Sequence, residues 1–257
     1  MPAGEPSTAG GPLSREQVLD ELEFLATVEH ALVVECLSVC CALGHDLDAG
    51  EGGATTKQGR DAAGAAFALA QGEMFHLKGV NLGLADAGRA TQLGRAASIS
   101  SGSVAETALG PPGQAQLERL LEREAAIASA VDERYTQLRA AVTSEPVFEG
   151  DLLSELRSVI ADHGPTHAAA FATLRDSLGD LPPAEFLRAV RREGADAFEG
   201  RLLAISDRSY GLVLAALQEQ FAQLAPFSAL AVSAMEGLDE INRVLVQRGL
   251  LPPFTLT

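Results

Sequence analysis

Four helix-periodic stretches of this chain each place an ionisable side chain in the middle of an apolar stripe: Glu29, the pair Glu73 and His76, Glu124, and the pair His163 and His167. Stripping the water from an unpaired charge is costly, so such groups do not enter a core alone. A shared cation would neutralise all of them at once. The pattern therefore constrains the chain to a helical bundle built around a metal site.

The helices can be drawn from periodicity and caps. Ser14 followed three residues later by Gln17 makes a capping box, which opens a first segment from about Ser14 to Leu43. Its stripe, Val18, Leu22, Leu25, Glu29, Leu32, Cys36 and Cys40, advances in steps of three and four. After a Gly- and Asp-rich loop, a second segment runs from about Lys57 to Leu84, ending near Gly88, with Ala66, Leu69, Glu73, His76, Val80 and Leu84 on its stripe. A third, about Gln114 to Val142, carries Leu117, Leu121, Glu124, Ala128, Val131, Tyr135 and Leu138; Glu118, Glu122 and Glu133 fall off that stripe and are expected on a solvated face. The fourth, about Leu152 to Leu178, carries Leu156, Ile160, His163, His167, Phe171 and Leu174.

Between the second and third segments lies a long Ser- and Gly-rich connection, Gly88 to Gly113, closed by Pro111 and Pro112. Packed helices are usually joined by only a few residues. Helix pair, long crossover, helix pair is the order of a ferritin-like four-helix bundle with one crossover, in which mid-helix ligands meet at one level. The expected fold is all-α: a leader over 1–13, the bundle over 14–180, and a C-terminal helical extension over 181–257 packed on it. That extension reads as Pro183 to Ile205, Arg208 to Leu224 and Pro226 to Leu250, covering one entrance to the bundle.

A formal charge of -16 argues against nucleic acid or an anionic membrane as the main partner, since both select basic surfaces. The first residues show no basic and apolar signal-peptide pattern, and no later run is free enough of charge to span a bilayer. Cys36, Cys40 and Cys41 are an odd, clustered set, which suits reduced thiols packing as small buried residues better than a disulfide framework. These features point to a cytoplasmic protein. His30 and His45 read as surface or packing residues.

Glu73 and His76 form an E-x-x-H element with both side chains on one helix face. Ferritin-like di-iron and di-manganese sites take one Glu from each of two helices and such an element from each of the other two. Glu29 and Glu124 are the lone carboxylates here. The fourth segment departs from the pattern with Asp162, His163, Gly164, Pro165, Thr166 and His167. Asp162 lies about 140° from His167 on an ideal helix, and a bulge at Pro165 is the way it could swing inward.

Glu29-His-Ala-Leu-Val-Val-Glu-Cys-Leu37, and Glu73-Met-Phe-His-Leu77 followed by Gly79-Val80-Asn81-Leu82, resemble the first two helices of the ferritin-like domain of iminophenyl-pyruvate dimer synthases, enzymes of bisindole pigment pathways. Ala234-Met-Glu-Gly-Leu238 and Gly249-Leu-Leu-Pro-Pro-Phe254 are similar to that domain's end. The chain departs from it at Val34 and Glu35, where the family has a Pro pair, and at Asp162-His163-Gly164, where it has Glu-Glu-Gly. The resemblance implies ligand roles for Glu29, Glu73, Glu124 and His167.

The expected function is a non-heme di-iron oxidase or oxygenase that uses O₂ to oxidise a small, amino-acid-derived metabolite. Glu73 would bridge two ions, Glu29 and His76 would hold one, and Glu124 and His167, with His163 or Asp162, the other. Manganese suits the same ligands. The expected partners are O₂ and a small-molecule substrate, with a homodimer among the assemblies left open. Two alternatives stand beside it: ferritin-like iron handling or peroxide scavenging, and a helical binding module whose inward acids pair with Arg.

Overall fold

The computed structural model describes residues 13–44, 57–109, 117–144, 172–177, 187, 189, 191–223 and 228–255. Helix α1 (Arg15–Leu43) opens on the expected box: Gln17 N–H donates to Ser14 Oγ at 3.3 Å, and Ser14 N–H donates to Gln17 Oε1 at 2.9 Å. It closes at Gly44, whose φ of 77° is the left-handed conformation that glycine adopts without a side-chain clash. Helix α2 (Lys57–Asp86) lies along α1. Leu22 to Leu32 of α1 cluster with Leu77, Val80 and Leu84, while Cys36, Cys40 and Leu43 cluster with Ala62, Ala63 and Ala66. Low numbers on one helix meet high numbers on the other, so the pair is antiparallel. The alanines and thiols at one end allow the backbones a close approach, and each fully buried leucine at the other contributes about 1.5–3 kcal/mol.

α1 is buried on nearly all sides. By length and composition it is apolar enough to cross a bilayer, contrary to the sequence reading, but 78% of that apolar window is buried inside the fold. Helix α3 (Leu117–Ser144) covers one face, with Ile127, Val131, Tyr135 and Leu138 in the same core as Leu25 and Leu32. Helices α4 (Ala197–Gln223) and α5 (Ser228–Gln247) pack on each other and bring Tyr210, Val213 and Leu238 against Val34 on another face.

The long connection is a built element. Asn81 grips Gln92 through both halves of its amide, at 2.6 and 3.1 Å, and Ala96 N–H donates to Thr27 O at 3.0 Å. Strands β1 (Ser98–Ile99) and β2 (Thr107–Ala108) pair antiparallel, Ser98 opposite Ala108. The turn between them lands on α3: Ser101 Oγ and Ser103 Oγ donate to Glu133 at 2.6 and 2.5 Å, and Arg134 Nε donates to Ser100 O at 2.7 Å. Glu133 therefore corrects the sequence reading. It is half-buried and anchors the crossover, and the serine hydroxyls hold its pKa below the usual carboxylate range.

The C-terminal extension also differs from the sequence expectation. α4 runs unbroken through Ser206 and Asp207, where a boundary was expected, because Ser206 is buried and donates to Asn242 Oδ1 of α5 at 2.7 Å. Of the segment expected from Pro183, residues 183–186, 188 and 190 lie outside the described residues and 191–196 are not helical; α4 begins at Ala197, with Asp196 Oδ1 accepting from Phe198 and Glu199 N–H at 2.8 Å each. Ahead of it, Arg191 clamps Glu199 at 3.1 and 3.2 Å and bridges Leu250, fastening this segment to the end of α5. The boundary expected at 180 and most of the fourth segment lie outside the described residues; 172–177, within that segment, is helical.

Candidate metal centre

Glu29 of α1 and Glu73 and His76 of α2 meet at mid-helix, 0%, 2% and 8% exposed. One ligand atom from each can be chosen so that all three lie within 4.8 Å of one another. His76 Nδ1 stands 3.3 Å from Glu73 Oε2 and 3.7 Å from Glu29 Oε2. Two donors bound about 2.1 Å from one ion lie about 3.0–4.2 Å apart as their angle opens from 90° to 180°. Both separations fall in that window. The antiparallel pairing of α1 and α2 sets this juxtaposition, and the i, i+3 spacing puts Glu73 and His76 on one face.

The electrostatics suit a cation. Burial alone would lower the pKa of His76, but hydrogen bonds and charge from Glu29 and Glu73 overturn that and push it up to about 10. The same field that holds a proton there attracts a divalent ion, which must displace it. From α3, Tyr135 Oη donates to Glu29 Oε1 at 2.5 Å. Burial, then the Glu29 charge, raise the Tyr135 pKa well above its ordinary value, so it serves as a neutral donor.

Of the seven ligands expected from the sequence, the structure brings together Glu29, Glu73 and His76. Glu124 lies in α3 on the same face as Tyr135, three turns or about 16 Å earlier along the axis. Its side chain, and Asp162, His163 and His167 entirely, lie outside the described residues. Two members of the buried polar set went unnoticed in the sequence. Tyr135 was counted as an apolar stripe residue, although a buried phenol needs a partner for its hydroxyl. Glu35 is 1% exposed, yet it lies off the Glu29 stripe and nothing in the periodicity marked it.

One residue further round each helix the surroundings change. His30, Met74 and Leu77, neighbours in sequence of Glu29, Glu73 and His76, line a cavity of about 350 Å³ whose other walls include Tyr210, Leu214 and Phe254. His30 is buried: its Nδ1 faces Leu93 O at 2.8 Å and Gly94 O at 3.1 Å, and its Nε2 meets Tyr210 Oη. Carbonyls only accept, so Nδ1 carries the hydrogen. Burial lowers the His30 pKa to about 4, keeping the ring neutral, so Nε2 accepts from the Tyr210 hydroxyl.

No family model, no curated protein and no solved structure matches this chain. What the structure establishes is a mostly helical protein with a buried Glu, Glu, His group able to hold a metal ion.

Proposed function

We propose that Glu29, Glu73 and His76 form one half of a non-heme di-metal centre, and that the protein is an oxidase or oxygenase acting on a small metabolite. The convergence of two buried carboxylates and an imidazole from two helices carries this reading. Iron, or manganese, would supply the electrons that reduce O₂. The chain's own groups would do the rest: Glu29, Glu73 and His76 would hold an ion, Glu29 is fixed by the Tyr135 hydroxyl, and His76 would give up its proton to act as a ligand. His167, with His163 or Asp162, is proposed for the second ion on the sequence pattern; Glu124, three turns along α3 from Tyr135, the α3 residue that meets Glu29, is not assigned to it. The ferritin-like arrangement is part of the same proposal. Iron handling without an organic substrate is the weaker alternative, because α4 and α5 add more structure than a storage subunit needs.

A second reading has one observation of its own. His76 Nδ1 lies between both carboxylates, so a proton shared there would satisfy the cluster without a metal. Anaerobic ferrous titration of protein purified without chelator separates the two. The di-metal reading expects tight binding, then a transient visible absorption on admitting O₂, both lost in Glu73→Ala and kept in the exposed control Glu240→Gln. No ferrous binding, or equal binding in Glu73→Ala, would favour the proton-bridged cluster.

A further inference from the structure

The cavity between the α1–α2 pair and the α4–α5 pair is a candidate binding site in its own right. Protein interiors are close-packed, and voids larger than a water are few. An opening of about 350 Å³ is the size of small-molecule sites rather than of a packing flaw. Its body is apolar: Val33, Leu37, Phe67, Leu214, Leu217 and Met235 all line it. The charged lining residues Glu236, Asp239 and Arg243 are exposed and stand at its mouth, so the inner wall has no ion to pair with a buried charge.

Polarity enters that wall at Asn242, whose Oδ1 already accepts from Ser206 Oγ at 2.7 Å, and at the His30 and Tyr210 pair. His30 and Tyr210 both line it, and the Tyr210 hydroxyl is committed to His30 Nε2. The phenol oxygen is left with lone pairs to offer and no hydrogen to give. Phe254 adds an independent sign that the wall is constructed. Its φ of 45° is strained for a residue with a side chain, yet it holds the ring edge-on to Tyr210, with centroids 5.5 Å apart and planes at 81°. Such strain persists only where the surroundings enforce it, and it concentrates at ligand sites.

We propose that this cavity binds an uncharged small molecule with a largely apolar body and one hydroxyl or N–H group, whose hydrogen Tyr210 Oη accepts. The proposal stands on the cavity alone and holds whether or not the Glu29, Glu73 and His76 group takes a metal.

The test uses the full chain and three probes that share a body: decanol, with a donor; decyl methyl ether, with an acceptor only; and decanoate, with a charge. Calorimetry is expected to show decanol binding, the ether about tenfold weaker for want of one hydrogen bond, and decanoate weaker again. In the double variant His30→Leu and Tyr210→Phe, which removes both acceptors of the pair, decanol and ether should bind equally. Cys40 and Cys41 line the cavity, so decanol should slow their alkylation, which locates the probe. Leu214→Trp, which fills the space, should abolish binding and protection together, and serves if the double variant fails to fold. The same order should hold with chelator present, so a failed metal reading leaves this result standing. Equal affinity of decanol and ether in the native chain, a preference for decanoate, or alkylation indifferent to decanol would overturn the proposal.

Discussion

His76 is where proton and metal compete. Its folded pKa of about 10 lies above the ordinary 6.5, so below that value a ligand role requires it to lose one proton. Apparent ferrous affinity should therefore rise about tenfold per pH unit between pH 6.5 and 8, with about one proton released per ion. A pH-independent affinity would remove His76 from the ligand set. Tyr135→Phe takes a donor from a buried carboxylate and should destabilise the metal-free protein by about 1–3 kcal/mol, measured by urea unfolding. At this scale, Glu29, Glu73 and His76 were legible because an ionisable group interrupts an apolar period. Tyr135 was not, because its ring satisfies the period and only its hydroxyl betrays it. Glu133 was misjudged because its partners, Ser101 and Ser103, lie about thirty residues away in a connection with no periodicity to place them.

Among the elements, α1 and α2 were readable almost to the residue, since the Ser14 box and Gly44 mark α1 and continuous stripes mark both. α4 was not, because Ser206 and Asp207 look like a linker until Asn242 is known to face Ser206 from the next helix. Helix boundaries drawn from polarity fail where a polar residue pairs across an interface. The close contact of Ala62, Ala63 and Ala66 with Cys36 and Cys40 leaves little room for volume. Ala66→Leu should overpack it, costing about 1–3 kcal/mol. An unchanged denaturation midpoint would show that α1 and α2 are less tightly apposed there than the core cluster implies.

Over the whole molecule, two buried histidines make stability depend on pH in opposite directions. His30, depressed to about 4, stays neutral in the folded state while the unfolded chain takes up protons below 6.5, so stability falls as pH drops from 6.5 toward 4. His76, raised to about 10, stays protonated when folded, so its contribution is full below 6.5 and declines as pH rises toward 10. With chelator present, melting temperature should therefore peak near pH 6.5, and His76→Gln should flatten the alkaline side alone. The helical class was legible from patterning. The layering of α4 and α5 over α1, with a cavity between them, was not, because it depends on tertiary packing that periodicity does not encode.

All the chemistry proposed for this protein requires the buried Glu29, Glu73 and His76 group to hold a metal. Ferrous titration of chelator-stripped protein under anaerobic conditions, with released protons counted, tests it most directly. Saturable binding with about one proton released per ion, abolished in Glu73→Ala, is the predicted result. A native chain that takes up no ferrous ion, and whose melting temperature ferrous ion does not move, would contradict it.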